Sequence, residues 1–101
     1  MHGRLKLQTM LEELLGSQEV YFQPPASVRM QYPAIVYVRD RIDNSHADDS
    51  VYTQSLEYEV IVIDSDPDSD IVMKVSRLPR CRFERHYTAD GLNHDVFTLN
   101  Y

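Results

Sequence analysis

The stretch from Tyr52 to Ile63 constrains this chain more than any other. In an extended strand Leu56, Tyr58, Val60 and Val62 share one face, while Glu57, Glu59, Ile61 and Ile63 share the other. Such a strand starts half exposed and finishes covered on both sides, which places it at the centre of a sheet. The remainder of the chain must then supply flanking strands and a cover for at least one face.

The cover comes from two amphipathic segments. Leu7, Met10, Leu11, Leu14 and Leu15 recur at helical spacing, Gln8, Glu12 and Glu13 take the opposite side, and Gly16 stands just past the end. A second helix is predicted after Asp66, which can cap it, with Pro67 suited to its first position. Its apolar stripe is Ile71, Val72, Val75 and Leu78, and Pro79 stops it.

Four further runs read as strands. Val20-Tyr21-Phe22-Gln23 is β-branched and aromatic, and Pro24-Pro25 ends it because proline cannot donate to a ladder. Pro33 opens Ala34-Ile35-Val36-Tyr37-Val38-Arg39, buried at its start and exposed at its end. Cys81, Phe83, Arg85 and Tyr87 alternate with Arg82, Glu84 and His86, and after the turn residues Ala89-Asp90-Gly91, Val96, Thr98 and Asn100 alternate with Phe97, Leu99 and Tyr101. From Asp40 to Ser50 the sequence is polar, with Asp40, Asp43, Asn44, His46, Asp48 and Asp49, and reads as a loop or hairpin tip. The expected fold is therefore a single α+β domain over residues 1–101, in the order α-β-β-β-α-β-β. It has a mainly antiparallel sheet of about five strands carrying two helices. The sheet face left uncovered needs a partner or a polar coat.

A length of 101 residues leaves no room for a second core. The net charge of -6 argues against nucleic acid held through its phosphates, which needs a basic face, and against a membrane-surface binder. No apolar run reaches the length of a bilayer span, and the first residues lack a signal-peptide pattern, so a soluble protein made in a cytoplasm is expected. The one cysteine, Cys81, rules out an internal disulfide.

The clusters that could carry chemistry each have a simpler reading. Asp64-Ser65-Asp66-Pro67-Asp68-Ser69-Asp70 resembles the start of a calcium loop. However, the sixth position is Ser69 where glycine is needed, and the twelfth is Val75 where a bidentate glutamate is needed. Carboxylates at a helix start cap free N–H groups without any metal. His46-Ala47-Asp48-Asp49 pairs imidazole with carboxylate, but a solvated loop accounts for it. His86 and His94 could approach across the last hairpin, yet two histidines without a third ligand make a poor zinc site. Simple alternation puts Cys81 on the face opposite His86, so no histidine activates it. Glycine-rich phosphate loops, G-x-S-x-G and H-E-x-x-H are all missing, so a protein that is not an enzyme, without cofactor or metal, is expected. Seven tyrosines suit strands and interfaces alike. Arg77, Arg80, Arg82 and Arg85 form a basic cluster in an otherwise acidic chain, either a solvated face or one half of a head-to-tail contact.

Several strings taken together carry a resemblance: Val20-Tyr21-Phe22-Gln23-Pro24-Pro25, Tyr32-Pro33-Ala34-Ile35-Val36-Tyr37, Ile63-Asp64 with Asp66-Pro67-Asp68-Ser69, and Leu78-Pro79. With them go Phe83-Glu84-Arg85-His86-Tyr87 and Asp90-Gly91-Leu92-Asn93-His94-Asp95-Val96-Phe97. The chain resembles, over nearly its whole length, the small structural proteins of long-tailed bacteriophages in the tail terminator and head-tail joining (tail completion) group. The resemblance implies a homo-oligomeric, hexameric ring in the virion neck, made in the host bacterial cytoplasm. That ring caps the tail tube protein and offers a docking surface to the head connector or adaptor protein. DNA would pass through the lumen without specific binding, and carboxylates lining it would repel phosphate and let the genome slide. A heterologous contact closes into a ring only if each subunit offers two different complementary patches. The candidate subunit or partner interface is Tyr21, Gln23, Arg39, Arg41, His46, Asp48, Asp49, Tyr52, Arg80 and Arg82, with Asp40–Ser50 a segment that orders on assembly. A head-completion adaptor or plug beneath the portal is the alternative, and a small metal-dependent enzyme the third reading.

Overall fold

Helix α1 spans Gly3–Leu15 and helix α2 spans Asp70–Ser76. The strands are β1 (Val20–Phe22), β2 (Ala34–Ala47), β3 (Ser50–Asp64), β4 (Cys81–Ala89) and β5 (Leu92–Asn100). This computed structural model describes the backbone of residues 3–47 and 50–101, and the side chains of residues 3–42 and 56–101. All five strands join one sheet in the order β1-β2-β3-β5-β4. Only β1 and β2 run parallel; the other neighbours are antiparallel. The element order expected from the sequence is the order found, and β3 takes the central place that its two-sided pattern demands.

Both helices cover the same face of the sheet. In α1 the spacing of Leu7, Leu11 and Leu15 sets them one above another on one side, and all three are buried. They pack with Val20, Ile35, Tyr37, Tyr58, Val60, Val62, Phe97 and Leu99 from the sheet and Val75 from α2. Tyr37 anchors this layer. Its ring lies 5.0 Å from Phe22 and 5.8 Å from Tyr58, centroid to centroid, and its hydroxyl donates to Gln8 Oε1 at 2.6 Å. A buried phenol needs such an acceptor, and α1 supplies it. At the end of α1, Gly16 adopts φ +83° and its amide donates to the Glu12 carbonyl at 2.8 Å, the left-handed ending for which the sequence placed a glycine there.

Helix α2 is shorter than expected and starts later. Its N-cap is Ser69, whose Oγ accepts the Ile71 amide at 3.2 Å, and Arg77 closes it before Leu78 and Pro79. Asp66 is not the cap. Asp64 and Asp66 instead accept the amides two residues on, of Asp66 at 3.0 Å and Asp68 at 2.9 Å, so their side chains hold local turns in place of a helix start. The short strand also ends a residue early, because Gln23 turns to φ +46° after Phe22.

The last hairpin closes on Asp90 and Gly91, at φ +54° and +74°, the two left-handed residues that a tight hairpin turn requires. Its first strand departs from simple alternation. Phe83 pairs with Phe97 but Arg85 pairs with Val96, so Glu84 is an extra residue. Beyond this bulge every side chain changes face. Cys81 and His86 therefore share the helix-covered face, correcting the assignment from alternation, but the four rungs from Leu99 to Asp95 separate them by roughly 13 Å.

The largest departure is the segment from Asp40 to Ser50. Of the two readings, loop or hairpin tip, the hairpin is the one found, and it is paired strand nearly to its end: β2 continues to Ala47, β3 begins at Ser50, and the two pair from Ile42↔Leu56 to Ala47↔Ser50. Polar composition argued for a loop, but a ladder needs only backbone groups, and the β-prone run Val51-Tyr52-Thr53 provides a partner. Asp48 and Asp49, at the tip, lie outside the described residues. Because β1 meets β2 only at Ile35, Val36 and Tyr37, and β5 leaves β3 at Glu57, this hairpin projects as an arm from the body. The molecule measures 51 × 23 × 23 Å along its principal axes.

Candidate functional site

The face of the sheet opposite the helices divides into two halves. Toward the start of β2, Ala34, Ile63 and Val96 are buried, and Val36, Val38 and Ile61 are half-buried beside them. Toward the base of the arm the same face carries a groove of roughly 350 Å³ lined by Asp40, Arg41, Glu57, Glu59, Arg82, Glu84, Arg85 and Thr98. Strand register builds this groove rung by rung: Arg41 opposite Glu57, Glu59 opposite Thr98, and Thr98 opposite Arg82.

Two ion pairs, Arg41 with Glu57 and Arg82 with Glu84, lie inside the groove. Arg41 Nε lies 2.7 Å from Glu57 Oε1, a carboxylate whose side chain is only 8% exposed. A bulge in β2 between Arg39 and Arg41 sets this register. Glu84 accepts from Arg82 Nε at 2.9 Å and from the Thr98 hydroxyl at 2.7 Å. These bonds, the threonine first, hold the Glu84 carboxyl below its ordinary value. The result is a polar coat over one half of the uncovered face, held together by cross-strand pairs. Glu57 and Glu59 betrayed it in the sequence, as charged residues alternating with the apolar face of a central strand. Glu84 and Arg85 were not legible as members, because the bulge at Glu84 decides which way they point, and Thr98 joins them through its place between Glu59 and Arg82 in the sheet order.

The candidate interface residues do not converge on one surface. Tyr21 lies on the short edge strand and donates its hydroxyl to Glu19, which also accepts the Gln31 amide at 3.0 Å. That shared carboxylate is held below its usual range and the Tyr21 phenol is pushed up. Gln23 prolongs the β1–β2 ladder: its amide donates to the Tyr37 carbonyl at 3.0 Å and its Oε1 accepts the Arg39 amide at 3.3 Å. Arg39 is exposed, and Arg41 belongs to the groove. His46 pairs with Val51 along the arm, and Tyr52 is the extra residue between that rung and Ser45↔Thr53. The arginine cluster is also divided. Arg77 caps α2, and Arg80, at φ +57°, borders a small apolar cleft with Met10, Leu78 and Tyr101. Arg82 and Arg85 lie in the groove.

The histidines part company as well. Register sets His86 opposite Asp95 and His94 opposite Tyr87, on opposite faces of the hairpin. His86 contacts Asn93 Oδ1 at 3.2 Å, and His94 stacks on Tyr87 at 4.6 Å between ring centroids. Among the described residues no three His, Cys, Asp or Glu side chains gather to hold a metal ion. Burial pushes the Cys81 thiol up, away from the thiolate. No described helix is long and apolar enough to cross a membrane.

One titratable group yields a prediction on pH. Asp95 lies with Ser69, Val72 and Met73 in a recess at the start of α2. Burial pushes its carboxyl above the ordinary 3.8, against the pull of His86 and His94. The folded state therefore holds this proton more tightly than the unfolded chain, and ionised Asp95 weakens the fold. The penalty is complete above the raised folded value and vanishes as pH falls toward 3.8. Asp95→Asn is expected to raise the thermal midpoint at pH 7, with the gain over wild type shrinking as circular dichroism melts are taken to lower pH. A gain that stays constant down to pH 3.8 would show that burial of the charge is not its cause.

No protein-family model matches this sequence, and no curated protein matches it.

Proposed function

We propose that this chain is a structural protein of a long-tailed bacteriophage virion. In this reading it is one subunit of a ring at the tail-head junction, capping the tail tube and presenting the surface on which the head connector docks. The observation that carries the reading is the arm formed by Ile42–Ala47 and Ser50–Leu56, which extends past the last rungs of β1 and β5. A two-stranded ribbon standing alone in water is marginal, and its outer edges offer unpaired backbone groups. Neighbouring subunits in a ring cover such an extension and satisfy those groups. The sequence resemblance supports a place in the virion neck, and the net charge of -6 suits a lumen through which DNA slides.

Gold labelling of this chain on intact particles, imaged by electron microscopy, tests the proposal. Label at the neck is the expected result. Label confined to the head side of a capped tail would favour the adaptor beneath the portal, and label at the tail tip or nowhere on the particle would overturn the neck assignment.

A further inference from the structure

The groove at the base of the arm leaves one half-buried carboxylate unpaired. Glu59 lies on the central strand of the sheet, and no described residue forms a hydrogen bond or ion pair with it. The three guanidiniums that line the same groove are held elsewhere. Arg41 is bonded to Glu57 and Arg82 to Glu84, while Arg85 stands farther along, opposite Val96, its guanidinium 5.9 Å from the Tyr87 ring. Thr98 stands opposite Glu59, but its hydroxyl is already donated to Glu84. Four carboxylates thus line the groove against three guanidiniums. The excess negative charge falls at Glu59 and at Asp40, the exposed extra residue of the β2 bulge. A carboxylate in the middle of a sheet has lost part of its hydration, and that cost is offset only when a donor or a cation reaches it.

The wall beside Glu59 is apolar. Val38 stands opposite it on β2, Ile61 follows it on the same face of β3, and Val36 stands opposite Ile61; all three are half-buried. An occupant of this place needs a hydrocarbon stem as well as a positive end. Lysine has both, but its ammonium is a compact and strongly hydrated point charge. A guanidinium is flat and more weakly hydrated, and it offers two parallel N–H groups to a carboxylate whose two oxygens are both unpaired. Its stem lies along apolar surface while the head meets the charge.

We propose that this groove seats an arginine side chain of a partner protein, its guanidinium paired with Glu59 and its stem against Val38 and Ile61. Charge complementarity selects this occupant. A phosphate or carboxylate would meet Glu59 and Asp40 as like charges, and a wholly apolar segment would bury Glu59 without a partner. Apolar residues flanking the arginine on its own segment would cover Val36 and Val38, which the helices leave open. The seat does not depend on the neck assignment, and either can fail without the other.

The test titrates the full, isotope-labelled chain with n-butylguanidinium, which carries the head and stem of arginine alone, and follows the amide NMR signals. Saturable shifts at Val38, Glu59, Ile61 and Thr98 are expected, with a Kd of about 10 mM. The blocked tripeptide valine-arginine-valine should bind about threefold tighter than n-butylguanidinium, and n-butylammonium about threefold weaker. Glu59→Gln keeps the size of the side chain and removes its charge, so it should weaken n-butylguanidinium about fivefold without moving the melt. No shifts, shifts confined to other residues, or equal binding by Glu59→Gln would overturn the seat. Equal binding of n-butylammonium would overturn the choice of arginine, and a tripeptide no tighter than n-butylguanidinium would overturn the protein partner.

Discussion

Excising residues 44–54 and joining Asp43 to Ser55 through Asn-Gly is expected to give a folded monomer that no longer assembles at any concentration. Asp43 and Ser55 stand opposite each other in the ladder, one rung past Leu56, whose carbonyl faces Tyr101, so the backbone groups of this pair face each other, and Asn-Gly is the two-residue connection whose left-handed backbone matches the strand twist. The body keeps what holds it together. Leu7, Leu11, Tyr37, Tyr58, Val60, Phe97 and Leu99 all lie outside the excised segment, as do every rung of β3 with β5 and every rung of β1 with β2. A shorter closed loop also costs slightly less entropy to form. The melt should therefore stay within a few degrees of wild type while sedimentation shows one species at the monomer value. Assembly that survives the excision would remove the arm from the interface and take the proposed function's carrying observation with it.

Leu11→Ala should cost about 3 kcal/mol, in the middle of the range for a buried leucine truncated in a close-packed core. Leu11 is 0% exposed and occupies the middle of the α1 stripe, between Leu7 and Leu15. The loss combines the transfer of the removed carbons with the cavity they leave, because the helix is held on both sides of the site and cannot collapse into it. For a chain of this size the midpoint should fall by on the order of 15 °C. Leu5→Ala, on the same helix but 57% exposed, should change stability by no more than about 0.5 kcal/mol. Equal effects at the two positions, read by thermal melts side by side, would mean that α1 is not seated by its leucine stripe.

Those two predictions divide the molecule as the sequence itself does, into a body whose elements were legible and an arm that was not. The leucine stripe of α1, the turn at Asp90-Gly91 and the two-sided pattern of β3 are local signals: hydrophobic period and backbone preference act over a few residues and need no distant partner. The bulges at Glu84 and between Arg39 and Arg41 carry no such signal. Each inserts one residue whose effect is to turn the following side chains over, and only pairing with the neighbouring strand fixes where that happens. His86, Cys81, Arg82 and Arg85 changed their expected neighbours for that reason. The α2 cap moved from Asp66 to Ser69 because an aspartate can equally bond its own turn, and the competition is settled by where the chain must leave β3.

The sequence by itself determined the class of fold, the order of its elements and which face of each helix is buried, because these follow from the periodic placement of apolar side chains. Tertiary structure alone decided that the polar run from Asp40 to Ala47 is strand and that Glu57, Glu84 and Arg82 meet in a paired groove. Cross-strand hydrogen bonds form between backbone groups that every residue carries, so the partner and its register, and not the composition of the segment, determine whether a ladder continues.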